Sequence, residues 1–196
     1  GHELYKAAII AGLTRMRDLP ADDHKARLAN VFVRDHWESA KMIPITAAML
    51  SGNWRALPED DPKQKNFGKR MGQIWTADQP GSALRFKFKG TVARVYDLLG
   101  PDGGQVTVSV DGRAGAKPVP RFDSYCTYHR IATLGVFTGN DAAVTREAVI
   151  TLHPEQPDRS GIAFRLKDPA KELATPKFQG TRIWMSQIML IGDLVD

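Results

Sequence analysis

Leu84-Arg85-Phe86-Lys87-Phe88-Lys89 alternates three apolar residues with three cations. A strand places successive side chains on opposite faces, so this run buries one face and wets the other, as an antiparallel strand does. Gly90 punctuates the run, and residues 92–99 are apolar on both faces, which predicts an inner strand. Gly100-Pro101-Asp102-Gly103-Gly104 reads as a turn. Val106, Val108 and Val110 then alternate with Gln105, Thr107 and Ser109, and Asp111-Gly112 closes that strand with a hairpin signal. Further strands are expected over residues 128–137, 146–152, 161–166 and 182–190, with one or two helical turns over 168–173. Short strands at this spacing predict a mainly β chain, an antiparallel, jelly-roll-like β-sandwich.

Upstream of the sandwich the pattern differs. Residues 2–17 carry Leu4, Ala8 and Ala11 on one face, with Ile9, Leu13 and Met16 extending it, and Pro20 follows. That predicts an N-terminal helix. Residues 18–35 read as a polar connector with a short helical turn. Met42-Ile43-Pro44-Ile45 reads as an edge strand or extended arm, because proline cannot donate to a ladder. Glu59-Asp60-Asp61-Pro62-Lys63-Gln64-Lys65 reads as a loop by composition. The expected organisation is therefore a helix over 1–18, a connector and arm over 19–71, and the sandwich over 72–196.

Composition limits the functional classes. The chain has 196 residues, a net charge of +5 and one cysteine, so no internal disulfide forms. Its cations are interspersed with 22 acidic residues, and no groove-reading motif accompanies them, so no nucleic-acid partner is expected. No apolar run is long enough to span a bilayer, and no membrane partner is expected. Asp22-Asp23-His24 and Asp35-His36 hold metal-ligand residue types without a spacing that converges four ligands, and a solvated connector is the better reading. Asp102 and Asp111 sit where loop-bound calcium would, but aspartate is also a turn former and too few oxygens accompany them. No metal centre and no cofactor is expected.

No complete catalytic site is legible. Cys126 and His129 lie three apart in a stretch read as extended, which sends them to opposite faces, so a buried cysteine beside a packed histidine is expected. Ser124 and Asp123 have no histidine placed by sequence to act as their base. The aromatics point instead to ligand binding. Trp54, Trp75 and Trp184 fall in or beside extended segments, as does Trp37. Tyr125 and Tyr128 are interleaved with Arg121, Asp123 and His129 in Arg121-Phe122-Asp123-Ser124-Tyr125-Cys126-Thr127-Tyr128-His129-Arg130. Sugars are held by aromatic faces over their C–H surfaces and by polar groups at their hydroxyls, and this stretch supplies both. The candidate carbohydrate-binding residues are Trp54, Trp75, Arg121, Asp123, Tyr125, Tyr128, His129 and Trp184. A tryptophan in a sandwich is more often core than platform.

Two regions carry a family likeness. Gly1-His2-Glu3-Leu4-Tyr5-Lys6-Ala7-Ala8 resembles the segment that follows the Asp-x-x-His-Pro block of bacterial SGNH/GDSL-type hydrolases acting on carbohydrate esters. Ser51-Gly52-Asn53-Trp54, residues 96–106, residues 121–130, Glu155-Gln156-Pro157-Asp158 and Ile191-Gly192-Asp193-Leu194-Val195 resemble a β-sandwich module appended to such hydrolases. The resemblance implies that residues 1–18 are the last helix of a truncated hydrolase domain. It implies a non-catalytic accessory module that binds or positions a glycan or carbohydrate ester, in a periplasmic or secreted protein. Its partner would be the missing hydrolase domain. The family's serine nucleophile block, oxyanion-hole blocks and Asp-x-x-His have no counterpart in these residues, so by resemblance the intact protein would cleave esters and this chain alone would not. The alternative from another class is a structural domain that packs on the hydrolase and shapes its cleft without a sugar site.

Overall fold

The computed structural model describes residues 1–20, 37 and 39–195. Asp22-Asp23-His24, Asp35-His36 and the helical turn expected within 18–35 fall, apart from Asp18 to Pro20, outside the described residues. The chain divides into two compact units, residues 1–36 and 37–196. In the first, helix α1 (His2–Arg17) has Glu3 in its first turn and Arg15 and Arg17 in its last, charges that suit the helix dipole. None of its side chains is buried, and Leu4, Tyr5, Ile9, Ile10, Leu13 and Met16 are all exposed.

The second unit is an antiparallel β-sandwich. Its strands are β1 (Ala40–Pro44), β2 (Leu50–Ser51), β3 (Arg55–Ala56), β4 (Trp75–Ala77), β5 (Ala83–Leu99), β6 (Gln105–Val110), β7 (Arg113–Ala114), β8 (Val119–Pro120), β9 (Arg130–Thr138), β10 (Thr145–Leu152) and β11 (Ile183–Val195). Two long strands, β5 and β11, pair from Trp184↔Leu98 to Val195↔Lys87 and form a ribbon that runs through both layers. Before Gly90, β5 pairs β10, which pairs β6 and then β7 and β8. After Gly90, β5 pairs β9, while the far edge of β11 takes β1 and β4.

The ribbon turns its corner at two facing glycines. Gly90 (φ 154°) lies opposite Gly192 (φ 143°), and the register shifts there. Gly192 pairs Gly90 and Ile191 pairs Val92, which leaves Thr91 as the extra residue of a bulge. The insertion inverts the alternation. Leu84, Phe86 and Phe88 face the core before the corner, and Ala93 and Val95 face it afterwards. Both halves thus bury apolar side chains in one core with Leu134, Ala148, Ile150, Leu152, Ile188 and Leu190. Gly90 therefore bends one long strand instead of separating two.

Segment 40–71, read from sequence as connector and arm, contributes β1 to β3 and a helix to this unit. Among the described residues β1 is an edge strand that pairs only β11, with Pro44 at its end. Residues 62–65 are not a loop but open helix α2 (Pro62–Met71). The Asp-Pro pair that suggests a turn is a helix start: Asp61 accepts from Lys63 N at 2.7 Å, and Pro62 occupies the first turn. Met71 of α2 joins Leu57, Ile74, Leu98 and Trp184 in a second cluster. This packing explains why residues 92–99 are apolar on both faces.

Residues 161–165, expected with 166 as a strand, instead lie in a 3₁₀ helix (Ser160–Arg165) that Leu166 caps. The Asp158 carboxylate accepts from Ser160 N at 2.8 Å and starts the turn, and Ile162 alone is buried. Helix α3 (Pro169–Leu173) follows, and Asp111-Gly112, both at positive φ, makes the expected hairpin between β6 and β7.

Candidate functional site

The loops at one end of the sandwich share a third cluster of Leu99, Phe122, Cys126, Ile162 and Phe178. A buried arginine ties them together. Arg159 donates from Nε to Pro101 O at 3.0 Å and from Nη2 to Gly103 O and Gly180 O at 2.7 and 2.9 Å. Its Nη1 reaches Gln156 Oε1 at 2.7 Å, and its guanidinium lies over Phe122. Sequence reasoning missed this residue, because its partners are backbone carbonyls distant in the chain.

On this base the 121–130 segment divides into buried and presented groups. Arg121 is 5% exposed and forms a bidentate pair with Asp97, Nε to Oδ2 at 2.5 Å and Nη2 to Oδ1 at 2.8 Å. Burial lifts the Asp97 carboxyl to about 6 against the pull of Arg121. Arg121 therefore holds β5 to the loop and does not point at a ligand. Asp123 accepts from Tyr125 N at 2.9 Å and pairs with Arg130. Burial would raise its carboxyl, but these hydrogen bonds, Arg130 first, hold it below the usual range. The turn it closes presents Tyr125 and Tyr128, 54% and 62% exposed.

His129 turns the other way. Its Nε2 lies 2.9 Å from Asp102 Oδ1, and its ring meets Trp184 edge-on at 4.8 Å. Asp102 bonds Arg182 Nη1 at 3.4 Å through its second oxygen. Burial acts to raise the Asp102 carboxyl, and the His129 hydrogen bond and charge bring it below the usual range. Asp111 accepts from Glu147 N and Arg146. Both turn aspartates thus spend their carboxylates on protein partners. Among the described residues, no group of three or more His, Cys, Asp or Glu could hold a metal ion.

Three of the four tryptophans are packing groups, and the fourth, Trp37, is exposed with Arg94 over its ring. Trp184 is 1% exposed, beneath the Lys63 ammonium at 5.2 Å. Trp54 and Trp75 are half-buried against the main core, with their Nε1 groups donating to Ala83 O and Ile45 O at 3.2 and 3.0 Å. The structure supplies a ring that sequence reasoning passed over. Phe164 is 71% exposed, and Arg165 lies 4.1 Å over the Tyr125 ring and 5.0 Å from the Phe164 ring. A period-two reading puts Phe164 with Ile162 on a buried face; the Pro157-Asp158 turn signal argues against it. Tyr125 and Phe164, bridged by Arg165, and Tyr128, three residues on from Tyr125, are exposed rings on loops that Arg159 and the third cluster hold in place. Elsewhere, a cleft of about 750 Å³ is lined by Val110, Arg113, Val136, Phe137 and Arg146. Its one aromatic ring, Phe137, packs against the main core, and Arg146, 4.4 Å over that ring, is paired with Asp111.

Cys126 is buried, within 3.4 Å of Asp123 Oδ1, and burial pushes its thiol up to about 11. The thiolate is the reactive form, so the native protein at pH 8 is expected to react with iodoacetamide at least about 100-fold more slowly than the urea-unfolded chain. Equal rates would place the thiol at the surface.

No protein-family model and no curated protein matches the chain. Among solved structures it is similar to a two-domain esterase active on acetylated mannans, at 12% identity and TM-score 0.62, over 98% of this chain and 47% of that one. The same esterase co-crystallised with mannopentaose matches at 12% identity and TM-score 0.60, over 100% of this chain and 47% of that one. A family two carbohydrate esterase from Cellvibrio japonicus matches at 13% identity and TM-score 0.43, over 79% of this chain and 34% of that one. The likeness to the two-domain esterase is one of fold, the antiparallel β-sandwich. The chain spans about half that esterase's length.

Proposed function

We propose that this chain is a non-catalytic accessory module of an SGNH/GDSL-type carbohydrate esterase, and that it binds or positions a glycan at the Tyr125–Tyr128–Phe164 platform. The observation that carries the reading is the exposure of three rings on loops otherwise fixed by buried contacts. Such rings offer flat apolar faces to pyranose C–H surfaces at little ordering cost. Half-buried Asp123 and Arg130 pair with each other at the base of the turn and fix its shape. Similarity in fold to an esterase active on acetylated mannans supports a polysaccharide ester as the parent protein's substrate. A free ring at the centre of a binding site contributes about 2 kcal/mol or more, so Tyr128→Ala is expected to weaken oligosaccharide binding about 30-fold in calorimetry without shifting the melting temperature. Unchanged affinity in both Tyr125→Ala and Tyr128→Ala would remove the platform from the reading.

A second reading is favoured by α1. Its six exposed large apolar residues need a partner surface, and we take residues 1–18 as the terminal helix of a hydrolase domain on which it packs. On this reading the sandwich shapes the hydrolase cleft without binding sugar itself, and both tyrosine variants would bind oligosaccharide no differently from the parent chain.

A further inference from the structure

We infer that the glycan held at this platform is acidic, and that Arg165 receives its carboxylate; the inference rests on the glycan reading above. The other arginines around the site are accounted for. Arg121 is committed to Asp97, Arg130 to Asp123, Arg159 to three backbone carbonyls, and Arg182 to Asp102 and Asp78. The nearby carboxylates are equally committed. Asp158 accepts from Ser160, Asp168 from Lys171 N, and Glu172 from Lys167 N and Asp168 N. Arg165 alone among these arginines makes only ring contacts among the described residues, one to Tyr125 and one to Phe164.

This arrangement suits a carboxylate for a geometric reason. A guanidinium against an aromatic ring is positioned by its face, which leaves its edge N–H donors directed outward. Those donors form a fork that matches the two oxygens of a carboxylate, and charge-assisted bonds of this kind are roughly twice as strong as neutral ones. A hydroxyl of a neutral sugar fills one donor at a time and brings no charge. Lys167, two residues on from the arginine, adds positive potential to the same loop. The rings thus take the sugar face while Arg165 takes the acid.

The test measures calorimetric binding of three oligosaccharides to the whole chain: pentagalacturonate, its methyl ester and mannopentaose. The free acid is expected to bind at least about 10-fold more tightly than its methyl ester at low salt, with the excess shrinking as sodium chloride is raised. In Arg165→Gln that preference should vanish, so that acid and ester bind alike. Equal binding of acid and ester, binding of mannopentaose alone, or a preference that survives Arg165→Gln would overturn the inference and leave the glycan reading standing. Binding of none of the three would remove the glycan reading and the inference together.

Discussion

Gly192→Ala is expected to cost more than about 4 kcal/mol and to leave little folded protein, because the corner of the sandwich has no room for a methyl group. A Cβ at Gly192 would sit 2.0 Å from Lys89 O and 2.6 Å from the Gly90 Cα. A Cβ at Gly90 would sit 2.2 Å from Ile191 O. These obstacles are backbone atoms in a paired ladder and cannot rotate away. Both positions also hold positive φ, which L side chains adopt only with strain. Relief would require the bulge at Thr91 to open, and the bulge is what keeps apolar side chains inward on both sides of the corner. The control is Gly112→Ala in the β6–β7 hairpin, at φ 76°, where a methyl group would meet nothing within 4 Å. It should cost only about 1 kcal/mol, the conformational term alone. Urea unfolding of the variants, with soluble yield as a first readout, checks the contrast. Similar costs for Gly192→Ala and Gly112→Ala would mean the corner is looser than its geometry.

The second large effect falls on Arg121. Arg121→Met is expected to destabilise the chain by about 3–5 kcal/mol at pH 7, since it strands the Asp97 carboxylate in the core without a counter-charge. Asp97 is 1% exposed, and with Arg121 present burial already raises it to about 6. Removing the guanidinium raises it further. The sign of the pH dependence follows. For an acid whose folded value lies above its unfolded 3.8, the penalty for ionisation is full above the folded value and fades as pH falls toward 3.8. The deficit of Arg121→Met relative to the parent should therefore narrow between pH 7 and pH 4.5, where both carboxyls are neutral. Adding Asp97→Leu to Arg121→Met should recover much of the loss, because no buried charge then remains. Unfolding curves at the two pH values decide the matter. A deficit that is constant with pH, or a double variant no better than the single, would show that the pair acts by packing and not by charge.

These two effects touch residues of different legibility. Gly90 is visible in sequence as an interruption and reads as a strand end, whereas Gly192 lies just past the expected strand over 182–190. Its role in a corner depends on a partner about a hundred residues away, which no local pattern reports. Arg121 reads as a sugar-binding cation because it lies among tyrosines. It proves to be a core group because Asp97, on a strand that otherwise reads as apolar, comes to lie beside it.

What the sequence determined by itself was the set of local elements with a strong period or a specific turn. The alternation in residues 84–89 and 106–110, the Asp-Gly hairpin and the helix over 2–17 follow from side-chain direction and backbone preference alone. Tertiary structure decided which aromatic rings are free. Trp184 has the largest ring and is covered by α2, whereas Phe164 lies exposed on a 3₁₀ turn with the Arg165 guanidinium beside its ring. Exposure depends on which layer comes to rest on a residue. That is set by long-range pairing across the ribbon of β5 and β11, so the period-two pattern that established the sandwich was silent about which rings stay exposed.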